Sequence, residues 1–231
     1  MIFDTHAHYD DEAFDGDRPE LLERLKEAGV GAVMNVAASL GSCRSTLKLA
    51  EAYDWIYGAM GVHPSETGEL DQEGLQWIKE QCGRRKIKAV GEIGLDYYWE
   101  EPAHDIQKKW FEAQMDLARQ VKLPVIIHSR DAAKDTLDMM KAASRGYRRR
   151  RPLLFLHQGN GQGVPEHGIF PWNRRRPYLQ QCKEAERGGG VYTSGVHCIG
   201  DRLSLSGAGP NRGKRNSSLK SSLCGGGCQP A

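Results

Sequence analysis

IKAVGEIGLDYY, residues 87–98, is an apolar run that ends in two carboxylates. A short continuous apolar segment of this kind is expected for a strand buried on both faces in a parallel sheet. Glu92 and Asp96 stand at its C-terminal end, where burying a carboxylate is costly unless it is paired or holds a cation. In a parallel barrel or a doubly wound sheet the C-terminal strand ends form the active face.

Outward from this strand the chain alternates between β and α patterns. Strands are predicted at 1–6, 31–36, 56–62, 87–93 and 124–128, and amphipathic helices at 18–28, 42–53, 71–81, 103–121 and 132–143. These are five βα units with short connections, which argues for a mostly parallel sheet with helices packed outside it. Each strand ends in polar residues: His6 with His8, Asn35, His63, Glu92 with Asp96, and His128 with Arg130. The topology predicts that these side chains converge on one site.

Three of these strand ends carry the chemistry. His6 and His8 form an HxH, and residues two apart on a strand point to the same side, so both imidazoles can reach one ion. Two polar residues at a strand edge would look the same. Imidazole suits zinc, iron, nickel and manganese, and a carboxylate such as Glu92 widens the choice to magnesium. A carboxylate can also bridge two ions about 3.5 to 4 Å apart, an arrangement that activates water against a phosphodiester. His128 closes the buried run PVIIH, and its neighbour Arg130 is suited to bidentate contact with a phosphate oxygen. A hydrogen-bonded core histidine and a surface arginine are the plain alternatives for this pair.

Composition divides the chain in two. Residues 1–144 carry 17 Lys and Arg against 26 Asp and Glu, whereas residues 145–231 carry 15 against 4. Past residue 143 the periodicity is lost, and RGYRRRRP, HQGNGQGVPEHG and LCGGGCQPA offer few apolar runs able to offset chain ordering. On composition this part is expected to be mostly disordered. The six cysteines read as free thiols of a cytosolic protein, and Cys224 with Cys228 lacks a second pair at zinc-site spacing. No run of about 18 apolar residues and no leader pattern is present, so the expectation is a cytoplasmic protein without membrane insertion.

FDTHAHYDDEAFDGDR, GVHPSE, VGEIGLDYYW and PVIIHSRDA, in this order, resemble the TatD-type deoxyribonucleases, metal-dependent hydrolases on a (β/α)8 barrel. The resemblance covers residues 1–143 continuously and implies a TIM-barrel hydrolase whose first five βα units are intact and whose last three are disrupted. It implies two divalent ions, Mg2+, Mn2+ or Zn2+, held by His6, His8, Glu92 and His128, with Glu92 bridging and catalytic. His63 and Asp96 match signature positions near the site; His63 would contact the DNA backbone or be a satisfied core histidine, and Arg130 would contact phosphate. The implied substrate is DNA, single-stranded or at its ends, and the implied state is a monomer.

The family pattern further requires an HCFS-like and an ETDCPYLAP-like motif, and neither string is present. PNRGKRNSS at 210–218 nevertheless returns to the pattern, which suggests compensating single-base shifts upstream. Read one base out of register, the codons for 152–155 permit His-Cys-Phe-Ser, and those for 200–208 permit Glu-Thr-Asp-Cys-Pro-Tyr-Leu-Ala-Pro. Trp172 followed by Asn173 forces glycine in that frame, as the family's glycine-rich stretch needs. The expectation is therefore a barrel part at 1–143, a frameshifted segment at 144–209, and a family-like motif with a short aberrant tail at 210–231. Two other function classes remain open: an amide or ester hydrolase on the same barrel, and a noncatalytic nucleic-acid binder driven by Arg148 to Arg151 and Arg174 to Arg176.

Overall fold

The structure is a computed structural model, and it describes residues 2–144 and 197–200. In chain order the elements are β1 (Ile2–Ala7), α1 (Arg18–Glu27), β2 (Val30–Val36), α2 (Leu40–Ala52), β3 (Ile56–Met60), α3 (Gln72–Gln81), β4 (Ile87–Asp96), α4 (His104–Val121), β5 (Val125–Arg130), α5 (Ala133–Ser144) and β6 (His197–Gly200). Short 3-10 turns at Glu12–Phe14 and Pro64–Glu69 follow β1 and β3. All six strands are parallel, in the spatial order β5-β4-β3-β2-β1-β6. The five predicted βα units are all present, as the opening part of a (β/α)8 barrel.

Local chemistry explains the boundaries. The Ser39 hydroxyl accepts from Ser42 N–H at the start of α2, and the Asp71 carboxylate accepts from Gly74 N–H at 2.7 Å at the start of α3. Each satisfies a backbone donor that the first helical turn leaves without a partner. Along α4 the buried residues Gln107, Trp110, Phe111, Gln114, Met115, Leu117 and Ala118 recur at helical spacing, and this face packs on the sheet. Helices and strands enclose a core that includes Ile78, Val90, Ile93, Leu95, Phe111 and Ile127.

β4 extends three residues beyond the expected end at Ile93, and glycine is the reason. The register with β5 shifts between Val90 and Ile93 and then runs on, pairing Gly94 with His128 and Asp96 with Arg130. Gly94 has φ of +146°, and a Cβ there would collide with the carbonyl oxygen of His128. Gly91, at φ +159°, also lies against β5, and a Cβ there would come within 2.6 Å of Ile126. The Gly91–Glu92 peptide is cis. Only glycine lets the two strands approach this closely at the level of the candidate ligands.

The sixth strand comes from the part of the chain without periodicity. His197–Gly200 falls inside the segment read as mostly disordered, yet it pairs in parallel with β1, His197 opposite Ile2 and Gly200 opposite His6. Four residues suffice to add main-chain hydrogen bonds that composition cannot reveal. β1 is consequently flanked on both sides instead of forming an edge. The shifted-frame motifs at 152–155 and 201–208, the Arg-rich stretches and PNRGKRNSS lie outside the described residues.

Candidate metal centre

Three strand ends bring the imidazoles of His6, His8 and His128 around one carboxylate. Glu92 Oε2 lies 3.2 Å from His6 Nε2 and 3.8 Å from His8 Nε2, and its Oε1 lies 3.1 Å from His128 Nδ1. The two imidazole nitrogens of the HxH are themselves 3.2 Å apart. Glu92 and His128 are buried, as is His6, while His8 is partly open to solvent. Two groups of potential ligand atoms result, each within 4.8 Å: His6, His8 and Glu92, and His63, Glu92 and His128.

The donor set fits a cation in the first group. His8 Nδ1–H donates to the Val36 carbonyl at 2.7 Å, and its neutral ring then carries a lone pair on Nε2, 3.2 Å from His6 Nε2 and 3.8 Å from Glu92 Oε2. A lone pair and a buried carboxylate oxygen thus face the same point, a combination that favours a positive ion there.

The second group is arranged differently. His128 donates from Nδ1 to Glu92 and from Nε2 to Asp96 Oδ2 at 2.9 Å. Burial opposes its charged form, but these two hydrogen bonds outweigh burial and raise its pKa to about 9. Burial likewise opposes ionised Glu92 and Asp96, and the surrounding histidines overcome it, so both carboxyls are held below their ordinary values. The ring of His63 packs edge-on to His128 with centroids 4.2 Å apart. Burial, followed by repulsion from His128, pushes His63 down to about 4, so it is neutral near pH 7. Its Nδ1 accepts from Ser65 N–H at 3.2 Å, and the proton of the neutral ring therefore sits on Nε2. Such a ring presents a hydrogen-bond donor where a metal ligand would need a lone pair.

Not every polar strand end joins the centre. Asn35 is fully buried but bonds Asp10 and Thr46 through its amide nitrogen at 2.8 Å each, and takes Tyr9 N–H on its oxygen at 2.7 Å. Asp10 also accepts from the Ser42 hydroxyl. Asn35 therefore pins the loop that follows the HxH to β2 and α2, and the expectation that it points into the site is corrected. Arg130 stands at the end of β5, beside the centre, with its guanidinium 3.6 Å over the ring of Tyr98.

Sequence reasoning missed two glutamines. Gln107 accepts from Asp96 N–H at 2.9 Å and donates to Asp96 and Pro102 carbonyls, and Gln114 clamps both backbone groups of Val62, at 2.8 and 3.1 Å. Together they lock the main chain beside His63 and Asp96 to α4. The signal was available, because Gln107 and Gln114 stand seven residues apart among Trp110 and Phe111, on the face of α4 that is otherwise apolar. Among the described residues Cys43 and Cys82 are free thiols, as expected, and burial pushes both to about 12.

Comparison with known proteins agrees with this geometry. Residues 3–162 match the model of the family described as TatD related DNase. The chain is 42% identical over 141 residues to an uncharacterized metal-dependent hydrolase, YabD, of Bacillus subtilis, covering 61% of this chain and 55% of that one. It is 30% identical over 132 residues to the 3'-5' ssDNA/RNA exonuclease TatD of Pantoea ananatis, covering 57% and 51%. The matches thus span about half the length of these curated relatives. In fold it resembles the crystal structure of YjjV, a TatD homolog from Escherichia coli K12, with a TM-score of 0.69 at 24% identity, over 96% of this chain and 88% of that one.

Proposed function

The chain belongs to the TatD related DNase family, and on that premise we propose that its centre serves the hydrolysis of phosphodiester bonds in single-stranded DNA. The observation that carries this reading is the Glu92 carboxylate, whose two oxygens face two separate histidine groups. A bridging carboxylate between two ions is the arrangement that phosphodiester hydrolysis uses repeatedly. His6, His8 and Glu92 Oε2 would hold one divalent ion, and Glu92 Oε1 with His128 the other. Such ions, when bound, supply an activated water and neutralise charge on the phosphate.

The remaining roles fall to this chain's own side chains. Asp96 orients His128 through the 2.9 Å hydrogen bond and takes up its proton's charge. His63, neutral and protonated on Nε2, donates a hydrogen bond to a phosphate oxygen, and Arg130 offers its in-plane N–H groups to the next one. The single-stranded substrate is supported by the name of the Pantoea relative. No helix among the described residues is long and apolar enough to cross a membrane, and the proposed nuclease is taken to act in the cytoplasm as a monomer.

Activity of the chain as written is proposed to be severely impaired, because the second family histidine and the aspartate expected to orient the attacking water are missing from its sequence. Their codons, permitted one base out of register at 152 and 202, support a frameshift across 144–209. Two measurements test the reading. Resequencing the gene between the codons for Lys141 and Pro210 should recover the shifted bases. The restored protein should then cleave single-stranded DNA with Mg2+ or Mn2+ in preference to model esters, while the chain as written shows little cleavage. Robust metal-dependent cleavage by the present chain would contradict the impairment, and ester preference in the restored one would overturn the nuclease reading.

A further inference from the structure

Three consecutive aromatic residues follow Asp96, and they part company. Tyr97 is tied down: its ring stacks on His104 with centroids 3.9 Å apart, and its hydroxyl donates to Asp135 at 2.8 Å. Tyr98 and Trp99 turn outward and are 55% and 52% exposed, the most exposed large apolar side chains among the described residues. The turn is fixed by Tyr98 N–H donating to Asp96 Oδ1 at 3.1 Å, the same carboxylate that holds His128 through its other oxygen. The two rings meet edge to face, at 90° and 4.8 Å between centroids. Arg130 covers one face of Tyr98 and, among the described residues, makes no ion pair.

We infer that Tyr98, Trp99 and Arg130 form a stacking platform for an unpaired nucleobase of a single-stranded nucleic acid whose adjacent phosphate enters the metal centre. The inference rests on the nuclease reading above and extends it to how the strand is held. Perpendicular rings make a corner, which suits one flat heterocycle and offers no broad face for a protein helix. Every base has a π face, so stacking on Trp99 is tolerant of sequence but needs the base to be out of a duplex. A guanidinium that stacks through its plane keeps its N–H groups in that plane for a phosphate oxygen. The platform lies two and three residues from Asp96, so a strand resting on it passes the ligands.

The test measures binding of the purified full chain in EDTA, which stops hydrolysis, by fluorescence anisotropy. One probe is a labelled oligothymidylate and the other an abasic oligomer of the same length. The wild-type chain should bind the base-bearing probe at least about fivefold more tightly. Trp99→Ala and Tyr98→Leu should abolish that preference with abasic affinity unchanged, and Trp99→Phe should retain most of it. Circular dichroism should report native helix in all three, since both side chains are half exposed. Equal affinity of the wild type for the two probes overturns the platform, as does a preference that survives Trp99→Ala. Glu92→Gln separates the two readings. It should keep the base preference while any hydrolysis in Mn2+ is lost. A base preference with no nuclease activity in the frame-restored protein would leave the platform standing and remove the nuclease, and cleavage without base preference would do the reverse.

Discussion

The two oxygens of Glu92 face surroundings prepared in opposite ways. On the Oε2 side His8 donates to the Val36 carbonyl, and the Nε2 lone pair of its neutral ring lies near a carboxylate oxygen. On the Oε1 side His128 carries its proton between two carboxylates and completes an ion network without any added cation. One half of the centre is poised for a cation, and the other already holds one, the His128 imidazolium between two carboxylates, which a metal ion would have to displace. The difference teaches that similar ligands need not bind in parallel: on the proposed two-ion reading, a metal ion in the second half would compete with a proton.

The sharpest break of this comparison is Glu92→Gln, which removes the shared charge. Calorimetric titration with Mn2+ should show affinity falling by more than the roughly 10- to 100-fold typical of an outer partner's loss. Next comes His128→Ala in the metal-free protein. It leaves Glu92 and Asp96 buried without their shared cation, and denaturant unfolding should show a loss of about 3 to 5 kcal/mol. His8→Ala removes a partly exposed ring with its hydrogen bonds to Val36 and His6, so the same measurement should give about 1 to 2 kcal/mol, with Mn2+ affinity carrying the larger loss.

A third measurement uses pH. The folded-state pKa of His128, about 9, lies above its ordinary value of 6.5. Its stabilisation of the metal-free protein is thus fully present below about pH 6.5 and disappears as pH rises through about 9. Thermal melts in EDTA across that window should fall, whereas ion affinity of the second half should rise. Melts that stay flat would place the proton elsewhere. The smallest effect belongs to Asn35→Ala, which frees the loop after the HxH; affinity in the first half should weaken about tenfold while the second half is unchanged.

The βα order was legible because each strand is a buried apolar run and each helix repeats apolar residues at three and four. Glu92 stood out as a carboxylate on such a strand, and strand direction put His6, His8 and His128 at the same face, while their role as ligands came from the family resemblance. Asn35 misled, since a polar residue at a strand end can turn toward a covering helix as readily as toward the site. The continuation of β4 was hidden by Gly94, which follows the expected end at Ile93 and resembles a strand breaker until β5 is seen pressing against it. β6 had no periodicity to mark it, because its four residues pair with a strand almost 200 positions away.

One consequence of the Glu92 position concerns charge balance. Among the described residues of the centre the ligand Glu92 and the orienting Asp96 bring two negative charges, whereas two divalent ions would bring four positive ones. On the proposed reading, the first ion uses most of the attraction that the carboxylates offer, and the second arrives at an electrostatic deficit. The phosphates of an entering strand would supply the missing negative charge. Substrate and second ion are then expected to load together, so that the full complement of ions is assembled only around something to cut.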